Sequence, residues 1–230
     1  MKFIIVGLGN FGATLAEKLT KQGNEVIGID SNMNKVTALK DKISHTIRLD
    51  ATDEQTVVDL PLKNTDIVLV CIGEDQGTNV VVTALFKNLG VKRLISRSIN
   101  ALHENILRAI GVDEIVRPEE ETAERWAKKL TLKGVIDSFE LNKDYSIVEV
   151  KTPEYFVGKT VEEIGFRVNY NIVILTILNQ SEQSSFLGKS KTITNVQGIP
   201  QPETILEKDD ILVLYGFNKD LNKFVKYKSE

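Results

Sequence analysis

A glycine-rich turn near the start of the chain constrains the fold more than any other feature. Gly7, Gly9 and Gly12 form a G-x-G-x-x-G pattern directly after an apolar segment, Phe3–Val6, and apolar residues at helical spacing follow the turn. In this context the first glycine permits a tight turn, the second lets phosphate approach the backbone, and the third allows helix and strand to pack closely. The free N–H groups at the start of the following helix favour an anion. The pattern therefore predicts a dinucleotide-binding α/β fold.

An aspartate at the end of the second predicted strand completes this pattern. Asp30 can accept hydrogen bonds from both ribose hydroxyls of an adenosine, and its charge repels a 2′-phosphate, so adenosine or NAD(H) is favoured over NADP(H). The alternative is a glycine turn with a surface aspartate in a domain that has lost its ligand. The predicted ligand contacts are Gly7, Leu8, Gly9, Asn10, Phe11, Gly12, Asp30, Ser31, Asp50, Ala51, Thr52, Ile72, Gly73, Arg97 and Glu119.

The first half of the chain alternates strands with helices, which predicts a doubly wound parallel sheet. The predicted strands are Phe3–Val6, Glu25–Ile29, His45–Leu49, Ile67–Ile72, Arg93–Ser96 and Glu114–Val116. Asp50, Gly73 and Arg97 follow the third, fourth and fifth strands, at the edge where such sheets bind ligands. Turn and helix-cap chemistry is the alternative for Thr52 and its neighbour, and a solvated side chain is the alternative for Arg97.

A second, smaller α+β domain is predicted after Arg117-Pro118, where short strands replace the alternation of strands and helices. We expect residues 1–118 to form the Rossmann-like domain, residues 119–136 a crossover helix and linker, and residues 137–230 the second domain. Within that domain we expect strands at Ser138–Leu141 and Ser185–Leu187. The polar segment Ser181–Ser185 is predicted to be mainly an exposed loop.

Composition argues against several function classes. The only cysteine, Cys71, lies in an apolar strand, and neither His45 nor His103 has a catalytic partner in the sequence, so we expect no enzyme activity. A net charge of −3 lacks the excess of basic residues that is typical of nucleic-acid-binding proteins. We also expect no membrane span and no secretion signal, and therefore a cytoplasmic protein.

Beyond the glycine turn, the order and spacing of several motifs resemble those of the RCK (KTN) domain family, cytosolic regulators of potassium conductance that include TrkA and KtrA subunits. The motifs in the first half are Val6 to Gly12, Ile29-Asp30, Asp50-Ala51-Thr52, Ile72-Gly73, Gly111-Val112-Asp113 and Arg117-Pro118-Glu119. In the second half, Tyr145 to Glu149, Gly158-Lys159-Thr160 and Asp209 to Val213 resemble the RCK_C module. The resemblance covers nearly the whole chain.

This resemblance implies a nucleotide-sensing subunit. It implies homodimers, usually assembled into an octameric ring beneath a potassium-translocating membrane protein, with ATP, ADP, AMP or NAD(H) bound at the glycine turn and Asp30. ATP-regulated relatives carry arginine at the position of Asn10, so we expect weaker discrimination of ATP from ADP here, or a preference for NAD(H) or AMP-like ligands. Glu119 matches a carboxylate that helps to hold a divalent cation at the subunit interface.

The second-domain module of some relatives binds cyclic di-AMP through an arginine that matches Arg167. Because Val173 stands where a polar partner is expected, we predict weak or absent binding. Two other functions stay open: an NAD-dependent oxidoreductase, and a regulator of another cation transporter or of a dicarboxylate exchanger.

Overall fold

A computed structural model describes residues 1–131, 134–184 and 190–226. The chain divides into two compact units, Met1–Glu121 and Thr122–Glu230. Within the described ranges, no helix is both long and apolar enough to cross a membrane.

The first unit contains the predicted doubly wound sheet. Its six parallel strands lie in the order β3-β2-β1-β4-β5-β6, so the order of winding reverses between β1 and β4. The strands are β1 Lys2–Val6, β2 Glu25–Asp30, β3 His45–Arg48, β4 Ile67–Val70, β5 Leu94–Arg97 and β6 Glu114–Val116. The helices are α1 Asn10–Lys21, α2 Met33–Leu39, α3 Glu54–Val58, α4 Gln76–Asn88, α5 Ala101–Ile110 and α6 Pro118–Thr131.

Alternation of side chains along β1 explains how the sheet is covered on both faces. Phe3 and Ile5 contribute to one buried cluster, whereas Ile4 and Val6 contribute to another on the opposite face. Every residue of β4 is buried, as expected of a central parallel strand. Because both faces of the sheet are covered by apolar side chains, polar groups collect at its edges, and the carboxyl edge is the one where such sheets bind ligands.

The second unit is built on an antiparallel sheet in the order β10-β9-β11-β8-β7. Its strands are β7 Val135–Glu140, β8 Tyr145–Lys151, β9 Ile172–Ser184, β10 Ser190–Val196 and β11 Ile211–Phe217. Its helices are α7 Val161–Ile164, α8 Phe166–Tyr170 and α9 Asn218–Lys226, and α6 begins in the first unit. Phe156, Phe166 and Phe224 are buried together in its core.

The expected loop at Ser181–Ser185 is wrong for its described part. Residues 181–184 belong to β9, which pairs with β10 in a register that sets Ser181 opposite Ile193. The segment lacks the apolar alternation that marks a half-buried strand, so the pairing could not be read from its composition. The strand expected at Ser185–Leu187 lies outside the described residues.

The strand expected at Ser138–Leu141 is shifted. Strand β7 begins at Val135 and ends at Glu140, and Val135 is buried beside the core of the unit. The sequence did not mark this start because Gly134, directly before Val135, interrupts the apolar pattern.

Candidate nucleotide-binding cleft

A cleft of about 470 Å³ lies at the carboxyl edge of the parallel sheet, within the first unit. Its walls follow β1, β2, β3, β4 and β5 and the first turn of α6. The cleft is lined by Val6, Gly7, Gly9, Asn10, Phe11, Ile29, Asp30, Ser31, Lys35, Leu49, Asp50, Ala51, Cys71, Ile72, Gly73, Glu74, Asp75, Thr78, Val82, Arg97 and Glu119. Among the predicted contacts, Leu8, Gly12 and Thr52 are not part of this lining.

The glycine turn has a geometry that side chains would disrupt. Gly7 has a φ of +95° and donates its N–H to the carbonyl of Ile29 at 2.8 Å. A Cβ on Gly12 would lie 2.0 Å from the carbonyl oxygen of Gly7, so only glycine lets α1 start this close to the turn. Gly12 therefore acts by shaping the cleft from behind.

The start of α1 is open to a ligand. Gly9 caps the helix without a side-chain hydrogen bond, the first turn carries no acidic residue, and a Cβ on Gly9 would meet no atom within 4 Å. The first N–H groups of a helix have no partner inside it, and they carry the positive end of its dipole. This cradle fits a phosphate group.

Asp30 has a second role that the sequence did not reveal. Its carboxylate accepts hydrogen bonds from the N–H of Leu8 and the N–H of Asn32, each at 2.8 Å. The first bond ties the end of β2 to the glycine turn. Each carboxylate oxygen keeps a lone pair, so the group can still accept ribose hydroxyls.

The residues after β3 combine lining and turn chemistry. The Asp50 carboxylate accepts both the hydroxyl of Thr52 at 2.7 Å and its N–H at 3.0 Å, and these bonds hold the pKa of Asp50 below its usual value. Asp53, not Thr52, caps α3 by accepting the N–H of Gln55. Thr52 therefore acts through Asp50, which faces the cleft with Ala51.

Arg97 lines the cleft and is not the solvated side chain of the alternative interpretation. Its guanidinium donates to the carboxylate of Glu119, lies 6.0 Å from the ring centroid of Phe11, and is largely shielded from solvent. A Cβ on Gly73 would lie 2.3 Å from one of its terminal nitrogens. Gly73 thus leaves room for the arginine head, and Glu119 neutralises its charge.

A buried polar network under the cleft was also missed. The amide nitrogen of Asn79 donates to the carbonyls of Ile72, at 2.9 Å, and Arg97, at 3.2 Å. Its amide oxygen pairs with Ser96 at 3.1 Å and with His103 at 3.1 Å. Asn79 therefore joins the ends of β4 and β5, and the sequence signal was an asparagine directly before the apolar run Val80–Val82.

Lys35 is a further lining residue that sequence reasoning omitted. Its ammonium lies 3.5 Å from the carboxylate of Glu74 and 4.0 Å from that of Asp30. The ion pair with Glu74 joins the start of α2 to the segment after β4. A lysine one turn into a helix gave no signal by itself.

The groups considered for chemistry sit in structural positions. Burial raises the pKa of the Cys71 thiol to about 12, which keeps it protonated. Burial lowers the pKa of His103, whose ring is held by Asn79, and His45 is exposed at the start of β3. Across the described ranges, no three His, Cys, Asp or Glu side chains are grouped as metal ligands, so Glu119 has no such cluster around it.

In the second unit, Arg167 and Val173 border one shallow groove together with Val168, Pro200 and Pro202. Arg167 is exposed on α8, and Val168 is 89% exposed. The groove is mainly apolar, and Glu162 is the one carboxylate in its lining.

The glycine turn, the sheet order and the cleft define a class: a Rossmann-like protein with a smaller antiparallel domain. The TrkA-N domain model matches residues 3–118, and the TrkA-C domain model matches residues 145–229. The chain belongs to the RCK family that these two domains define, as the resemblance predicted.

Two curated relatives align over nearly the whole chain. The Ktr system potassium uptake protein C of Bacillus subtilis (strain 168) is 32% identical over 225 residues, which cover 98% of this chain and 96% of the relative. The Ktr system potassium uptake protein A of the same organism is 29% identical over 223 residues, covering 97% and 95%.

A solved structure supports the fold. The GsuK channel bound to NAD matches with a TM-score of 0.64 and 18% identity, covering 100% of this chain and 40% of that chain. The chain therefore spans less than half of that solved chain, and at this identity the likeness concerns the fold.

Proposed function

We propose that the chain is a nucleotide-sensing regulatory subunit of a Trk/Ktr-type potassium transporter. The main support is structural: the start of α1 is open to a ligand beside Asp30. The curated relatives of the chain are potassium uptake proteins. The ligand is an adenine nucleotide or NAD(H), with phosphate at the helix start and ribose at Asp30. No oxidoreductase role is proposed, because Cys71 and His103 are held in structural positions.

The assembly is part of the same proposal. Residues 1–118 form the nucleotide-binding domain, residues 119–136 the crossover, and residues 137–230 the regulatory domain. Exposed apolar side chains on α6, Trp126 and Leu130, support homodimer formation through this helix, and dimers then form a ring at the cytoplasmic face of the membrane partner. Ligands that bind two ring shapes unequally shift their populations and so gate the partner.

Ligand binding is tested by calorimetry on Asp30→Ala. We expect adenosine ligands to weaken by about 1–3 kcal/mol, because hydrogen bonds to ribose and the tie to Leu8 are both lost. Asp41→Ala, which alters an exposed aspartate outside the cleft, serves as the matched control. Unchanged affinity in a folded Asp30→Ala protein would show that the ligand binds elsewhere.

Regulation is tested by light scattering after size exclusion, and by potassium flux in vesicles that contain a Ktr-type membrane subunit. We expect an oligomer and a nucleotide-dependent flux. A monomer that leaves flux unchanged with every nucleotide would refute the proposal.

For cyclic di-AMP the prediction remains weak or absent binding, and a micromolar affinity that Arg167→Ala abolishes would overturn it.

A further inference from the structure

The ionisable side chains around the cleft are mostly acidic. The lining carboxylates are Asp30, Asp50, Glu74, Asp75 and Glu119, and the lining cations are Lys35 and Arg97. The carboxylates in the lining thus outnumber the cations by three. Because like charges repel, this lining disfavours a ligand with a large negative charge.

Both lining cations are already engaged by carboxylates. Lys35 lies 3.5 Å from Glu74 and 4.0 Å from Asp30, and Arg97 is paired with Glu119. Asn10, at the start of α1, is neutral. Phosphate groups in this cleft therefore depend on backbone N–H groups of the first helical turn rather than on a free cation.

Asp50 and Asp75, which are not paired with either cation, stay ionised at neutral pH. Hydrogen bonds from the hydroxyl and N–H of Thr52 lower the pKa of Asp50, and those from the hydroxyl and N–H of Thr78 lower the pKa of Asp75. The acidic excess is consequently present under physiological conditions.

The sheet order assigns these charges to two halves. On one side, Asp30 ends β2, and Lys35 and Asp50 follow β2 and β3. On the other side, Glu74 and Asp75 follow β4, Arg97 ends β5 and Glu119 follows β6. A dinucleotide in such a sheet crosses the switch point between the halves, with its adenosine on the Asp30 side. The other half, where a nicotinamide ring would lie, carries three carboxylates, Glu74, Asp75 and Glu119, against one guanidinium.

We propose that the cleft selects its ligand by charge and binds NAD⁺ in preference to NADH and to ATP. The inference rests on the proposed nucleotide-sensing function. The nicotinamide ring of NAD⁺ carries a positive charge that NADH lacks, and that charge is stabilised by the excess of carboxylates over the one guanidinium in this half of the cleft. ATP instead brings the largest negative charge into a cleft where carboxylates outnumber cations and each cation already lies beside a carboxylate.

The test is calorimetric titration of the full chain with NAD⁺, NADH, AMP and ATP, at low salt and without divalent cations. We expect NAD⁺ to bind at least about threefold more tightly than NADH and about tenfold more tightly than ATP. Raising the salt to about 0.5 M should narrow both ratios, because exposed charges are screened. NADH or ATP binding as tightly as NAD⁺ at low salt would overturn the charge selection.

A matched pair of variants locates the effect. Glu119→Gln should reduce the preference for NAD⁺ over NADH by about twofold to threefold and strengthen ATP binding, since it also frees Arg97. Glu120→Gln, one residue further on the same helix and outside the cleft, should leave the ratio unchanged. An unchanged ratio in Glu119→Gln would contradict the proposal.

The two proposals fail in different ways. If a folded protein binds none of these nucleotides, the nucleotide-sensing function itself is wrong. If it binds them at the Asp30 site without preferring NAD⁺, only the charge selection is wrong.

Discussion

The first unit buries polar side chains beneath its cleft, whereas the second unit buries a cluster of aromatic rings. Asn79, Ser96 and His103 are at most 1% exposed and hold the ends of two strands together. In the second unit Phe224 is fully buried and stacks on Phe156, with ring centroids 5.2 Å apart. The buried hydrogen bonds hold backbone groups in place beneath the cleft, while the packed rings stabilise the second unit by apolar burial.

The largest effect is expected from the aromatic core. Phe224→Ala should cost the second unit about 3–5 kcal/mol of unfolding free energy, through lost burial and a cavity. Nucleotide binding should persist, because only residues of the first unit line the cleft. Urea unfolding and calorimetry check both, with Phe139→Ala, which is 66% exposed, as the control. Loss of nucleotide binding in Phe224→Ala would show that the cleft of the first unit depends on the core of the second.

The glycine turn should give the next largest effect. Gly12→Ala places a Cβ 2.0 Å from a backbone oxygen, so we expect about 3 kcal/mol of destabilisation and loss of ligand binding. Gly9→Ala meets no neighbouring atom and should leave thermal stability nearly unchanged while weakening phosphate binding. Equal thermal shifts in both variants would contradict the assigned roles.

Asn79 provides a test of the polar network. Asn79→Ala leaves the carbonyls of Ile72 and Arg97 without their amide donor, and we expect about 2 kcal/mol of destabilisation together with weaker nucleotide binding. Asn88→Ala, at an exposed position of the same helix, is the control for helix propensity. If stability falls but affinity does not, the network supports the fold alone.

The smallest effect concerns acid stability of the second unit. Hydrogen bonds from Arg125 lower the pKa of Asp137 below 3.8, so the stability that Asp137 contributes is present above that pH and is lost as the pH falls through its folded pKa. Glu149, opposite Asp137 in the β7–β8 register, acts in the reverse sense, because burial raises its pKa above 4.5. Its contribution is present in acid and is lost as the pH rises.

Melting temperatures measured from about pH 7 to about pH 3 test whether the stability that Asp137 contributes is lost in acid. Asp137→Asn should lose less stability than the wild type below pH 3.8, and Asp209→Asn, at an exposed turn, should follow the wild type. A steeper acid loss in Asp137→Asn would show that the ion pair does not stabilise the fold.

The sequence predicted the parallel sheet well because local signals agree with the fold. The continuous apolar run around β4 and the glycine turn at Gly7 each have few structural solutions. The polar end of β9 was missed because its strand state depends on a partner strand and not on its own pattern.

The side-chain pairing within the cleft could not be predicted in the same way. Arg97 and Glu119 lie far apart in the sequence, as do Lys35 and Glu74, and only the folded sheet brings each pair together. A residue type indicates a possible charge at an edge, but the neutralisation of that charge depends on tertiary distances.

The contact between Gly73 and Arg97 has a consequence for sequence change in this cleft. A single methyl group at position 73 would push the guanidinium away from Glu119 without altering either charged residue. The effect of substituting Gly73 should therefore depend on whether arginine still occupies position 97. The two positions are expected to show epistasis, and a Gly73→Ala change should be tolerated best after Arg97 has been replaced by a shorter side chain.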